Sequence, residues 1–434
     1  RKESSAASDV YKRQEQYSLL TGMRDLLPEE AESWLALEST LYAWVKSYGY
    51  ELIRTPLLED SKLFLHSAGE SSDIVGKEMY RFVDQNGEEV ALRPEGTASV
   101  LRAVLGNHYL YSGPKRLWYY GPMFRRERPQ KGRYRQFHQL GVEALGFAEP
   151  ESDAELLLMT YDLWKRLDIA DALVLELNTL GNSSERNEYR KALVAYFSEV
   201  YDQLDEDSKR RLTINPLRIL DSKEKSMQPV IEKAPKFNDY LQDGSQYFYD
   251  RLKQALHVLG VPFRENPRLV RGLDYYSHTV FEWVTQDLGS QGTICAGGRY
   301  NDLIEILGGK ATPAVGFALG MERLILLLAE KERLPKPAAI DFYLVSQNRK
   351  CLIEALRCAT ILRERGFSVM LDFSLKKFAA QFKKAASSHA HYALVLGEEE
   401  VKASQIVVKD LRTGKGQQRI NQKELIDFLA QWMV

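Results

Sequence analysis

Residues 124–146 read FRRERPQKGRYRQFHQLGVEALG, and Arg125 to Arg135 alone carry six Lys or Arg against one Glu. Such charge suits an anion: a nucleotide phosphate or an RNA end offers oxygens that guanidinium groups grip in pairs. A solvated basic hairpin is the plain alternative. The flanking runs RLWYYGPMFRRE and RYRQFHQLGVE have strand character and enclose a loop with Pro129 and Gly132, which predicts a long antiparallel hairpin. Strand period then puts Gln139, Gly141 and Glu143 on one face, with Gly141 leaving room between two polar side chains. That is a poor surface for a core and a good floor for a small polar ligand. Arg125, ending the first strand, reaches the same floor if the strands pair.

Four further stretches carry chemistry. LRPEGT, 92–97, ends a strand in a turn offering Glu95 and the Thr97 hydroxyl, a pair suited to an ammonium group, although most such turns are only turns. RLVRGLDYYSHTVFEWV, 268–284, reads as a strand in which alternation after Arg271 sets Asp274, Tyr276, His278 and Val280 on one side. Arg, Asp and two Tyr are costly to bury without partners, so a surface strand is the bland reading. CAGGRYNDLIEILGG, 295–309, supplies glycines for close approach, then Arg299 and Tyr300 entering a helix. GFALGMERL, 316–324, takes a Gly-rich strand into a helix presenting Glu322 and Arg323 in its first turn, where phosphate is favoured. A buried structural Arg is the sober alternative there.

Neither GxGxxG nor GxxxxGK[ST] occurs, and no Ser–His–Asp spacing, HExxH or cysteine nucleophile stands out. Arginines, carboxylates, a Gln and tyrosines bind and orient. Chemistry that needs only positioning and charge stabilisation includes phosphoryl and nucleotidyl transfer.

The elements that must hold these residues are legible from pattern. Glu29 to Tyr48 has helical spacing through Trp34, Leu37, Leu41, Trp44 and Val45, opened by Pro28 and closed by Gly49. YELIRTPLLED predicts a strand broken at Pro56, and strands follow at 79–83, 89–93, 116–126 and 134–143. Residues 183–260 turn charged and helix-favouring, a helical insertion, before strands return at 269–285 and 292–297 and a helix starts near Gly320. KERLPKPA, 331–338, is a linker. Beyond it DFYLV, FSVMLD, HYALVLG and QIVVKDL alternate with helical segments such as 349–365 and 421–432, a small α/β domain over 339–434. The expected fold is thus an α+β domain on an antiparallel sheet over 16–330, interrupted by 183–260, followed by the α/β domain.

Composition is that of an ordinary soluble chain, 44% hydrophobic and 27% charged over 434 residues, and no apolar run matches a membrane span, so a cytoplasmic protein without membrane attachment is expected. Cys295, Cys351 and Cys358 form no CxxC pair and read as idle thiols. The formal charge of −1 speaks weakly against non-specific nucleic-acid binding, but residues 339–434 carry 15 Lys or Arg against 10 Asp or Glu, a net +5. Ser4–Gln14, SSAASDVYKRQ, looks like a translated sequencing adapter, so residues 1–15 are set aside as an adapter-like or disordered tail.

From TGMRDLLP at 21–28 to the last helix, the chain resembles the class II aminoacyl-tRNA synthetases and, within them, the histidyl-tRNA synthetase family of bacteria. FRRERPQKGRYRQFHQLGVE is similar to class II motif 2, GFALGMERL to motif 3 and ELIRTPLLE to the dimer-forming motif 1, while LVRGLDYY and AGGRY resemble the two histidyl signatures. Five motifs in order make the signal strong. The resemblance implies ligation of histidine to tRNA(His) through an adenylate, with ATP as substrate, Mg2+ accompanying it, a homodimer, and an anticodon-binding role for 339–434. It implies that Glu95, Thr97 and Gln139 hold the α-ammonium of histidine, that Glu143 and Tyr276 read the imidazole, and that Tyr275 and Tyr300 line the pocket. Arg125 and Arg271 are the implied catalytic pair, neutralising the α-phosphate and the attacking carboxylate. Glu127 and Arg133 would contact ATP, Arg323 its γ-phosphate, and Arg128 and Gln130 the tRNA acceptor end. Departures from the family's pattern stand at Ser277–His278, at the Asn301–Asp302 pair and near Lys402. The rival readings are a regulatory paralogue such as the accessory subunit of ATP phosphoribosyltransferase, which typically lacks the C-terminal domain and has eroded arginines, a synthetase for another amino acid, and a stand-alone RNA-binding protein, which needs no acidic pocket.

Overall fold

The computed structural model describes residues 17–432 apart from 70, 71, 73, 223, 274, 290, 291, 336–338 and 413–415. The adapter-like tail and Asp274 therefore lie outside the described residues. The chain divides into two compact units after Pro335.

The first unit opens with helix α1 (Pro28–Ser47), which has Pro at its start, Glu29 and Glu30 in the first turn and Lys46 in the last, matching the helix dipole. It buries Trp34, Leu37, Leu41, Trp44 and Val45, the stripe that periodicity predicts. Strand β1 (Glu51–Leu52) and strand β2 (Leu58–Asp60) flank the break at Pro56. Helix α2 (Ser61–Ala68) follows, then β3 (Tyr80–Val83) and β4 (Glu89–Leu92), which join β2 in a small antiparallel sheet. From β4 the chain turns into α3 (Thr97–Gly106). The long hairpin is β5 (Lys115–Phe124) and β6 (Gln136–Leu145), paired without a slip from Lys115 opposite Leu145 to Phe124 opposite Gln136.

Beyond α4 (Pro150–Arg166) and β7 (Val174–Thr179) come the helices α5 (Ser183–Glu199), α6 (Glu206–Ile214), α7 (Gln228–Glu232) and α8 (Asp243–Val258). Tyr189, Leu193, Phe197, Met227 and Phe237 form a core of their own among them, whereas α8 sends Tyr249, Leu252 and Leu256 into the main core. The unit closes with β8 (Phe263–Glu265), β9 (Ser277–Val284), β10 (Thr293–Arg299), α9 (Leu303–Ile306), β11 (Ala314–Gly320) and α10 (Met321–Glu330). Eight strands lie in the order β1-β5-β6-β11-β10-β9-β7-β8. Every inner pairing is antiparallel, and only the short edge strands β1 and β8 run parallel to their neighbours.

One expectation fails. The strand drawn from residue 269 begins at Ser277, so the described residues between Arg271 and Tyr276 are not strand and alternation from Arg271 does not apply. The ladder between β9 and β10 shifts register between Gly298 and Arg299, and His278 sits at φ 46. That bulge turns the chain off the sheet, and Leu269 and Leu273 pack instead with Tyr275, Tyr276 and Tyr300 in a second cluster beneath α3.

The second unit is a five-stranded sheet from β12 (Phe342–Ser346), β13 (Val369–Leu371), β14 (Tyr392–Leu396), β15 (Gln405–Asp410) and β16 (Gln417–Asn421), ordered β13-β12-β14-β15-β16. Strand β12 is parallel to β13 and β14, and the last two pairings are antiparallel. Helices α11 (Arg349–Glu364), α12 (Phe378–Ser387), α13 (Glu398–Ala403) and α14 (Leu425–Trp432) complete it. Its core holds Phe342, Leu344, Leu394, Leu396, Ile406 and Val408, with Cys351 and Cys358 inward on α11.

Candidate active site

A polar cavity of about 190 Å³ opens over β6, β10 and β11 of the first unit. Its floor is acidic. Glu95, in the turn before α3, accepts the backbone N–H groups of Thr97 (2.6 Å) and Ala98 (3.0 Å). These are among the orphan donors of the helix start, and a negative charge there meets the positive end of the dipole. Burial nonetheless raises the Glu95 pKa, against the pull of those two hydrogen bonds. The turn is therefore a cap, and its carboxylate also lines the cavity.

Glu143 is buried on β6, where its two oxygens accept from Thr97 Oγ1 (2.7 Å) and the Tyr300 hydroxyl. Burial pushes its pKa up to about 8, with Tyr300 and Thr97 opposing and Glu95 adding to the rise. A carboxyl held that high is largely neutral at pH 7 and ionises when a cation settles beside it. Gln139, four residues earlier on the same face, has a buried Oε1 with no hydrogen-bond partner among the described residues. Buried acceptors are normally paired, so this one points to a ligand that donates.

The space expected over Gly141 is filled. Tyr119 stands directly opposite Gly141 in the hairpin, and a Cβ on Gly141 would run into its ring. Gly316, opposite Glu143 on β11, gives that carboxyl its room in the same way.

The other end of the cavity is basic. Arg125 donates from Nε to Pro94 O (2.8 Å) and lies over the Phe137 ring at 5.1 Å. Burial lowers its pKa despite Glu78 and Glu95, and Arg271 adds to the lowering. Arg271 pairs with Glu282 of β9 and lies 5.7 Å from the centre of the Tyr276 ring, while its buried Nε has no partner among the described residues. Burial opposes its charge, and Glu282 and the two neighbouring tyrosines hold it protonated. Arg323, in the first turn of α10, donates to Thr293 O (2.9 Å). Burial, then Arg133 and Arg125, lower its pKa to about 10. Arginines that depress one another in a buried site await an anion of more than one charge. Arg133 pairs with Glu127 and stands 3.7 Å from Glu78.

Because Tyr275 and Tyr276 precede the strand, both face inward, where a strand would have parted them. Their rings are 4.7 Å apart, and Tyr300 lies 5.6 and 6.4 Å from them. Of the residues singled out by sequence, Glu95, Thr97, Arg125, Glu127, Arg133, Gln139, Arg271, Tyr275, Tyr276, Tyr300 and Arg323 line this one cavity, and Glu143 lies bonded beneath it. Arg128 and Gln130 do not join them. Both are exposed in the hairpin loop, which turns tightly at Gly132 (φ 75) with Gln130 and Arg133 exchanging backbone hydrogen bonds. Sequence reasoning missed Tyr119, Phe137 and Glu282. The hairpin register sets Tyr119 against Gly141 and could have found it, whereas nothing local ties Glu282 to Arg271.

An acidic floor facing an arginine cluster suits a zwitterion beside a polyphosphate, on an antiparallel sheet with a separate α/β unit in the same chain. This fold and site define a class II aminoacyl-tRNA synthetase. The profile described as "Histidyl-tRNA synthetase" matches residues 22–324, and one described as "Anticodon binding domain" matches 341–432. The chain belongs to the histidyl-tRNA synthetase family. It is 51% identical over 417 residues to a protein named histidine–tRNA ligase from Laribacter hongkongensis (strain HLHK9), covering 96% of this chain and 99% of that one. A histidine–tRNA ligase of Neisseria meningitidis (strain FAM18) is 50% identical over 419 residues, covering 95% and 97%. The crystal structure of apo S. aureus histidyl-tRNA synthetase superposes with a TM-score of 0.81 at 34% identity, covering 95% and 99%.

Proposed function

We infer that the protein ligates histidine to its tRNA, first forming histidyl-adenylate and pyrophosphate from histidine and ATP. The observation that carries this reading is the buried Gln139 Oε1, without a hydrogen-bond partner among the described residues, in one cavity with Glu95, Arg125, Arg271 and Arg323. Glu95, Thr97 and Gln139 receive the α-ammonium group. Glu143 and Tyr276 take the imidazole, which needs a partner at each nitrogen, and Tyr275 and Tyr300 wall it in.

The histidine carboxylate then attacks the α-phosphorus, its oxygen forming the new P–O bond as the bond to pyrophosphate breaks. No protein nucleophile is required. Arg125 and Arg271 neutralise the charge that grows on the α-phosphate oxygens, a role suited to fixed cations in a dry site. Glu127 and Arg133 hold ATP, and Arg323 its γ-phosphate. Mg2+ enters with ATP, and such an ion takes one or two carboxylates plus phosphate oxygens. Glu127 and Glu322 line the cavity, and the described residues hold no cluster of three or more candidate ligands for a resident metal. In the second step a ribose hydroxyl of the tRNA 3′ end attacks the activated carbonyl and AMP leaves. Arg128 and Gln130, exposed on the loop, meet the acceptor end, and residues 339–434 read the anticodon, as their net +5 suits.

A homodimer is proposed on the exposed apolar side chains Tyr42, Leu52 and Leu57, which line one groove at the edge strand β1. A cytoplasmic location is proposed with it. No described helix is long and apolar enough to cross a membrane. The test is ATP–pyrophosphate exchange on purified protein without tRNA, with each amino acid in parallel. Exchange with histidine alone is expected. Exchange with a different amino acid refutes the assignment, and none at all from folded protein favours a regulatory paralogue.

A further inference from the structure

The loop that carries Arg271, Tyr275 and Tyr276 has no strand to hold it, so something else must. At its start Arg268 donates to Gln228 Oε1 (2.9 Å) and stands 3.7 Å from Glu232, both on α7. At its end the Tyr276 carbonyl accepts from Arg186 Nη1, in the first turn of α5. Both anchors are in the helical segment, outside the cavity. The second nitrogen of Arg186 donates to Ser183 Oγ (3.0 Å) and reaches Asp302 Oδ2 (3.5 Å), and Ser183 donates to the same Asp302 oxygen (2.5 Å). Asp302 lies two residues after Tyr300, whose hydroxyl holds Glu143.

One guanidinium therefore ties two pieces of the pocket to the helices: the Tyr276 backbone directly, and the turn after Tyr300 through Ser183 and Asp302. Its own seat is firm. Asn182 caps α5 in a capping box with Glu185, and the buried Glu185 accepts from Gln242 N (2.8 Å) and Ser245 Oγ (2.7 Å), which docks α5 onto the start of α8. A planar fork with several donors is what such a three-way tie demands, and an ammonium group cannot reproduce it.

We propose that Arg186 is a positioning residue for histidine recognition, acting through Tyr276 and Asp302, so that the seating of the helical segment on the sheet is read out as affinity for histidine. The proposal rests on the reading of the cavity as a histidine site. Its effect falls on histidine more than on ATP: Arg125 is anchored by Pro94, Arg323 by Thr293, and Arg271, though on the same loop, by Glu282 of β9.

The test is pyrophosphate exchange by the full chain and its Arg186→Met, Arg186→Lys and Asp302→Asn variants, with KM for histidine and for ATP measured separately and thermal unfolding recorded. Arg186→Met is expected to raise the histidine KM about tenfold, the order that one lost charge-assisted hydrogen bond supplies, with the ATP KM moving less than about twofold. Arg186→Lys should recover part of the loss. Asp302→Asn, at an exposed side chain that threatens the fold least, should raise the histidine KM about threefold on the same scale. An unchanged histidine KM in both Arg186→Met and Asp302→Asn overturns the proposal, as does a parallel rise in both KM values with a lowered melting temperature. A wild-type protein that exchanges with histidine while the variants behave as it does sinks the proposal alone. A wild type with no histidine-dependent exchange removes the site assignment beneath it as well.

Discussion

Replacing Glu143 with Gln should move stability and activity in opposite directions. Glu143 is 1% exposed, and burial lifts its pKa from an ordinary 4.5 to about 8. The folded state therefore binds more protons than the unfolded chain between those values, and stability falls as pH rises through that window. The favourable contribution is complete below 4.5 and gone above about 8. The full span is on the order of 5 kcal/mol, since each tenfold step in proton affinity is worth about 1.4 kcal/mol. A Gln side chain is the neutral isostere, with an oxygen for one of the two hydroxyls that Glu143 now serves. Thermal unfolding at pH 8.5 should show the variant several degrees more stable than the wild type, and the advantage should vanish near pH 5.

Activity should go the other way. Losing a carboxylate from the imidazole site removes a charge-assisted hydrogen bond, worth about 1.5–3 kcal/mol, so the histidine KM in pyrophosphate exchange should rise roughly 10- to 150-fold. A variant with an unchanged histidine KM refutes the role given to Glu143. One less stable than wild type at pH 8.5 refutes the electrostatic argument.

Arg271→His should cut histidine-dependent exchange by about a hundredfold or more, the usual result of removing a donor that stabilises transition-state charge. Circular dichroism should show an unchanged fold, and normal exchange would remove Arg271 from the catalytic pair. Gly316→Ala places a Cβ against Glu143 Oε2, so the histidine KM should rise well above any change for ATP, with stability lost by about 1–3 kcal/mol. Asp153→Asn leaves the fully buried Arg299 without its ion-pair partner, and denaturant unfolding of the main transition should report a loss of about 3 kcal/mol.

Much of the platform was legible because it is locally encoded. Pro28, the Trp34–Leu37–Leu41–Trp44 stripe and Gly49 define α1 within one helical period. The hairpin strands announce themselves by alternation, and that alternation correctly sets Gln139 and Glu143 on one face. The run 268–284 misled for a related reason. Its β-favouring residues resemble a strand throughout, but strand formation needs a partner. The register shift at Gly298 and Arg299 withdraws that partner before Ser277. Strand β16 escaped notice because QQRIN has no alternation of its own, and its pairing with β15 supplies what its sequence lacks.

What the sequence determined by itself is the list of reacting groups and the elements bearing most of them: Glu95 and Thr97 at a helix start, Gln139 and Glu143 on a strand, and arginines at both ends of a basic loop. These depend on residue type and spacing over a few turns or pleats. Only the tertiary structure decided which groups touch. Glu282 finds Arg271 across a bulge, Tyr119 fills the gap over Gly141 from the opposite strand, and Asp153 comes 146 residues through the chain to Arg299. Those pairings follow from sheet register and from the cost of burying an unpaired charge, and neither is visible in a stretch of chain read alone.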